Sequence, residues 1–206
     1  MIANSVVTDF TPKVCTPNVD PTAYVHPLGF CGGCAKIGKR VLISPCASVR
    51  GDEGQAVIVD DESNVQDGCV IHGLETESHG KPTANRVTAP DGTECSVYVG
   101  KRVSMAHQSQ VHGPAKVGND SFIGMQVLVF KAEVGSNCVV EPGCTLLGVK
   151  VPDGRYVPMG TVLSSQADAD ALPVITDSYP FKKLNAGVVH VNTSLADGYN
   201  REQPLK

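Results

Sequence analysis

Three of the six histidines in this 206-residue chain stand where they can hold a metal ion. His72 and His112 each directly follow a branched apolar residue, Ile71 and Val111, and each precedes a glycine. His107 is placed differently, two positions after Met105. Asn64, Gln66 and several carboxylates flank these segments, which suits a polar site better than scattered surface imidazoles. Three neutral imidazoles leave a four-coordinate ion one open position for water, the arrangement found at catalytic rather than structural metal sites. Water held there ionises near neutral pH and becomes a nucleophile without a side-chain base. Three imidazoles suit Zn(II), Fe(II) or Co(II) alike. His26, His79 and His190 share no such placement and read as ordinary histidines.

The elements that position these residues show in a long apolar period. From Val99 through Met105, Val111, Val117, Ile123 and Val129 an apolar residue recurs at every sixth position. A helix repeats near 3.6 residues and a strand near 2, so neither explains this spacing. Short strands joined by tight turns in a coiling chain do, with one small or branched residue pointing inward per strand. The ladder begins at Val25, Cys31, Ile37, Ile43 and Val49, and breaks at Arg50–Gly54. It resumes at Val59, Val65 and Ile71, and after two one-residue slips ends at Val151, Val157 and Leu163. Glycine follows the ladder residue at Gly38, Gly100, Gly118, Gly124 and Gly135, where it is expected to permit the turn of a coil corner. Strands of successive coils stack about 4.8 Å apart, so His72 and His112 on neighbouring coils can share one ion. His107 leaves the coil in another direction.

The spacing therefore predicts an all-β-dominated parallel β-helix over 21–164, interrupted by an aperiodic loop at 75–95 of functional or disordered type. Residues 1–20 read as an irregular arm punctuated by prolines, and 165–206 as a C-terminal helical segment. Within that segment, 165–172 forms a short helix. Phe181, Leu184, Val188, Val191, Leu195 and Tyr199 form one apolar stripe of a longer helix, with Pro180 near its first turn. That stripe must be buried against its own coil or a neighbour's.

Composition bounds the partners. A net charge of −4 with mixed signs gives no reason to expect nucleic acid or an anionic membrane, and no apolar run is long enough to span a bilayer. Low aromatic content with 21 Gly and 14 Pro suits a narrow, turn-rich coil. The start of the chain lacks a basic segment and apolar core, which predicts a cytoplasmic protein. The eight cysteines are too scattered for a disulfide framework and are expected to be reduced, including the Cys31–Cys34 CxxC pair.

With those residues in view, 48–54 (SVRGDEG), 63–75 (SNVQDGCVIHGLE), 103–126 (VSMAHQSQVHGPAKVGNDSFIGMQ) and 151–160 (VPDGRYVPMG) closely resemble the γ-class carbonic anhydrases, nearest the methanogen archaeal type. The resemblance runs from about Asp20 to Tyr199. It implies a left-handed parallel β-helix of hexapeptide repeats that assembles as a homotrimer, with one metal at each subunit interface. It also implies reversible hydration of carbon dioxide to bicarbonate and a proton by metal-bound hydroxide. By position, the ligands would be His72 and His112 from one subunit and His107 from the next. Gln66 would orient the hydroxide, Asn192 would line the carbon dioxide and bicarbonate pocket, and Asn64 would be its polar neighbour. Glu53 and Glu75 would export the proton. Arg50, Asp52 and Asp67 would form interface ion pairs. The chain departs from the archaeal pattern at His190, where that type has tyrosine, and at Cys31–Cys34. Two other functions share the coil: a low-activity scaffold or assembly subunit of the same family, and a hexapeptide-repeat acyltransferase, which needs one base histidine and no metal.

Overall fold

The computed structural model describes residues 1–203, so the last three residues of the predicted 165–206 segment lie outside the described part. Strands of two to six residues follow one another through three parallel sheets. The first sheet stacks eight strands, from Ile2–Ala3 through Phe30–Gly33, Ser48–Gly51, Val70–His72 and Gln110–His112 to Val162–Leu163. The other two each stack seven, one including Glu94–Val99 and the other Ser104–Met105. The result is a three-sided, left-handed parallel β-helix.

The six-residue period has a direct structural cause. Cys31, Val49, Ile71, Val111, Val129, Leu146 and Leu163 are register partners in one column up the first sheet. Val65, Ile71, Val99, Met105, Val111, Val117, Ile123 and Val129 are all fully buried. Each such side chain contributes about 1.5–3 kcal/mol on leaving water. The columns therefore lock the register of every rung, and with it the direction of the residue that follows each inward one.

Four expectations need correction. The glycines after the ladder residues are not at the left-handed turn positions; residues such as Arg102, Gln108 and Asp120 take those, with φ of 52°, 61° and 59°. Gly118 and Gly124 are required because the next rung lies so close: an added Cβ would sit 2.5 Å from Ser136 N or 2.7 Å from Val140 O. The arm is not wholly irregular, since Ile2–Ala3 and Asn18–Val19 pair with Phe30–Gly33 and Ala35–Ile37 and supply the first rungs. Nor are all the cysteines reduced. Cys15 and Cys34 are joined in a disulfide, because the left-handed Gly33 turns Cys34 to a corner to which the arm returns Cys15. Cys31, Cys69, Cys95, Cys138 and Cys144 remain buried thiols, and Cys46 is an exposed one.

The fourth correction concerns the C-terminal segment. Gln166–Asp170 is a short helix, and the long helix runs Leu184–Glu202, starting after Pro180 rather than around it. Its buried residues are Asn185, Val189, Asn192, Thr193 and Ala196. Most of the predicted stripe stays open on the single chain, with Val191 55% and Leu195 42% exposed. Arg40 fastens the helix to the coil through Asp197, at 2.8 Å. The 75–95 loop is also partly ordered: Glu77–Ser78 pairs with Lys81–Pro82, and Val87–Thr88 with the start of Glu94–Val99. No helix among the described residues is long and apolar enough to cross a membrane.

Candidate metal centre

Because Ile71 and Val111 point inward, the next residue on each strand turns out at the end of the first sheet. Arg50, His72, His112 and Phe130 form that outward column, as partners on successive rungs. The rings of His72 and His112 meet edge to face with centroids 5.3 Å apart, and Phe130 covers the far side of His112 at 5.5 Å. His72 is buried. Its Nε2 lies 3.0 Å from Asp52 Oδ1, 3.3 Å from Glu53 Oε1 and 3.1 Å from Arg50 Nη2. The bond to His72, then the Arg50 charge, holds the Asp52 carboxyl below its usual range against the opposing effect of burial.

These contacts conflict at one atom. A proton on Nε2 serves one carboxylate but turns a donor toward the Arg50 donor, and without that proton both carboxylates face a lone pair. A cation at Nε2 would take the imidazole lone pair, with the Asp52 and Glu53 carboxylates beside it offsetting its charge and that of Arg50. Asp52, Glu53 and His72 are, among the described residues, a group whose ligand atoms all lie within 4.8 Å of one another. The donor set therefore fits a divalent metal.

His107 is not part of that group. It stands at the corner after Ser104–Met105, the next corner of the triangle, exposed and with Nδ1 3.1 Å from Asp67 Oδ2. It opens into a cavity of about 390 Å³ shared with Gln66, Asp67 and Asn192. Gln66 is held by a donor relay: its Nε2 donates to Asn64 Oδ1 at 3.0 Å, and Asn64 Nδ2 donates to Ser104 Oγ at 3.0 Å. Asn192 is tied to its own helix through Val188 O at 2.9 Å.

The candidate residues thus fall into two separate groups. Arg50, Asp52, Glu53, His72 and His112 gather at one corner, while Asn64, Gln66, Asp67, His107 and Asn192 gather at another. Asp67 accordingly does not meet the Arg50–Asp52 pair, itself 3.6 Å apart, within one chain. Glu75 opens the excursion after the first group, half-buried, with its carbonyl held by Thr83 and Asn85. Sequence reasoning passed over His26 and Tyr24, which line the cavity beside His107. Their column runs two rungs below the site, and nothing in their spacing marks it. His190 is exposed on the long helix and lines no part of this cavity.

Known proteins resemble this chain along nearly its whole length. It is 52% identical over 199 residues to the carbonic anhydrase of Methanosarcina thermophila, covering 96% of this chain and 81% of that protein. It is 38% identical to the carboxysome assembly protein CcmM of a Nostoc species, over 93% of this chain but only 33% of that longer protein. Among solved structures, a hexapeptide transferase family protein from Anaplasma phagocytophilum matches with a TM-score of 0.68 at 21% identity, over 90% of this chain and 93% of that one. At that identity the likeness shows the fold alone. No protein-family model matches the chain.

Proposed function

The chain belongs to the γ-class carbonic anhydrases, and from that premise we propose that it hydrates carbon dioxide reversibly at a metal shared between the subunits of a homotrimer. The observation that carries this is the division of the site. One corner holds His72 and His112 on successive rungs, with carboxylates at the His72 Nε2, and another holds the third histidine with the amides. Neither is complete alone, and a cyclic arrangement of copies joins one kind of corner to the other. The open Val191 and Leu195 of the long helix, beside Asn192, supply apolar surface for the contact.

His72 and His112 of one subunit and His107 of its neighbour would hold the ion, one per interface, as Zn(II) or Fe(II), with Co(II) also suited. When bound, the ion supplies Lewis acidity that brings the pKa of water to about 7. Gln66, fixed through Asn64 and Ser104, orients the attacking oxygen, and Asn192 lines the space for carbon dioxide and bicarbonate. A small neutral substrate needs little recognition, so the demanding task is removing a proton each turnover. Glu53, placed at the His72 imidazole, accepts that proton, and Glu75 passes it to solvent. Arg50 and Asp52 at one corner and Asp67 at the other would meet across the interface. A cytoplasmic location belongs to the proposal, with Cys46 an exposed free thiol and Cys15–Cys34 the one bond that has to persist there.

The alternatives fit less well. An acyltransferase needs one base histidine, and here two imidazoles share a column with carboxylates beside them. A scaffold subunit has no use for Glu53 at His72. The test is metal analysis of anaerobically purified protein alongside a carbon dioxide hydration assay, on the wild type and on His112→Ala. One ion per chain with activity, both lost in the variant, is expected. Full activity in metal-free protein would refute the proposal.

A further inference from the structure

The N-terminal arm supplies no ligand, yet it is fastened to the loop that carries Asp52 and Glu53. Its two ends are fixed in the sheets at Ile2–Ala3 and Asn18–Val19, and the stretch between them folds into a closed loop. Ser5 N donates to Cys15 O at 2.9 Å and Cys15 N donates to Ser5 Oγ at 2.8 Å, which closes its base. Thr11 N donates to Thr8 Oγ1 at 2.9 Å, which tightens its tip. The tip lies on the site loop: Thr11 is 2% exposed, and its Oγ1 donates to Asp52 O at 2.7 Å. Gly54 has φ +99°, and a Cβ there would come 3.2 Å from Phe10 O and 2.2 Å from Thr76 Oγ1, so the arm and Thr76 crowd it.

Three consecutive carbonyls under the carboxylates are therefore held by three separate segments. Cys34 N donates to Gly51 O at 2.7 Å, Thr11 Oγ1 to Asp52 O, and Thr76 N to Glu53 O at 3.1 Å. The first two of these segments are joined by the Cys15–Cys34 disulfide. With glycine at both ends, 51 and 54, the site loop has little stiffness of its own.

We infer that the arm is a strap positioning Asp52 and Glu53, that Thr11 is its positioning residue, and that the Cys15–Cys34 bond fastens it so that opening the bond slows proton export. This rests on Glu53 being the proton acceptor proposed above. Both cysteines are half-buried, within reach of a small dithiol. In the opening step the dithiol gives two electrons and two protons. The Cys15–Cys34 S–S bond breaks into two thiols as the dithiol closes to its own disulfide. Because both ends of the strap stay in the sheets, only its middle is freed. A shift of about 1 Å in a transfer group is enough to slow a reaction far more than it loosens a fold.

The experiment uses the metal-loaded protein, with each thiol state verified by mass. Reduction by dithiothreitol, followed by its removal, should lower kcat at low buffer roughly threefold to tenfold, part of the ~10²-fold that a placed proton-transfer group supplies. kcat/KM and metal content should hold, and imidazole should restore kcat. Thr11→Val should do the same without reduction, and Thr11→Ser should recover. Cys15→Ser/Cys34→Ser should match the reduced wild type and respond no further to dithiol. Cys46→Ser, at the exposed thiol, should leave the response to dithiol intact. Hydrogen exchange at residues 52–55 should quicken on reduction, a readout that holds whether or not Glu53 carries the proton. Unchanged exchange there would overturn the strap. Quickened exchange with unchanged kcat would leave the strap standing and remove Glu53 from the relay, overturning the control of turnover. Loss of metal together with kcat/KM would make the arm a purely structural brace.

Discussion

The division of the site can be tested by rebuilding it from two broken halves. His107→Ala removes one corner's ligand and leaves His72 and His112, while His72→Ala/His112→Ala does the opposite. Homotrimers of either variant have no complete set if each ion bridges two chains. Mixed trimers behave differently. Going round a cyclic trimer with two copies of one variant and one of the other, one interface and only one pairs intact His72 and His112 with an intact neighbouring His107. Random assembly of equal amounts gives mixed trimers about three-quarters of the time, so about a quarter of all interfaces are complete. Co-expression should therefore restore metal content and hydration rate to about a quarter of wild type, measured by elemental analysis and stopped-flow proton release. Two affinity tags isolate the mixed trimers, where the recovered fraction rises to about a third. Well-folded mixed trimers with neither metal nor activity would refute the shared site, since three ligands on one chain cannot be rebuilt by mixing.

Glu75→Ala should lower kcat at low buffer by roughly tenfold or more with kcat/KM nearly unchanged, and imidazole should return part of the loss; an unaltered kcat would leave Glu75 a surface acid. Asp61 tests the coil itself, joining three rungs by accepting Lys39 N at 2.9 Å on Oδ1 and Lys101 Nζ at 3.1 Å on Oδ2. Burial acts to raise its pKa, but these bonds outweigh it and hold the carboxyl below the usual carboxylate range. A folded pKa below the unfolded one gives stability that is fully present above the unfolded value and is lost as pH falls through the folded value. Asp61→Asn should accordingly lower Tm at neutral pH by the equivalent of about 1 kcal/mol. The gap from wild type should close in acid below that range, and a gap unchanged in acid would contradict the assignment.

The coil was legible because one inward residue per strand is all a narrow three-sided helix admits. Val111 and Ile71 then announce where His112 and His72 point. His107, two places beyond Met105, likewise announced a different corner, which is where it stands. What stayed hidden depends on partners far along the chain or outside any repeat. Ile2–Ala3 and Asn18–Val19 are too short to show a period and become strands only because a formed rung offers them an edge. Cys15 and Cys34 carry no spacing signal, as their meeting depends on the backbone turn at Gly33 and the closed loop of the arm. The glycines misled in an instructive way, since the same Ile-Gly or Val-Gly pair serves close stacking here rather than reversal of the chain. On the long helix, the apolar stripe promised burial, but the single chain buries Asn185, Asn192 and Thr193 and leaves Val191 and Leu195 exposed.

The order of rungs in the first sheet also sets where the molecule comes apart. In a solenoid each repeat leans only on the repeats above and below, so opening starts at an end and travels inward. Arg50, His72 and His112 occupy the third, fourth and fifth of the eight strands in that sheet. Three rungs must peel away from either end before fraying reaches the imidazole pair. Heat or denaturant therefore consumes the ends as a sacrificial length, and the midsection that carries His72 and His112 is the last part of the coil to dissolve.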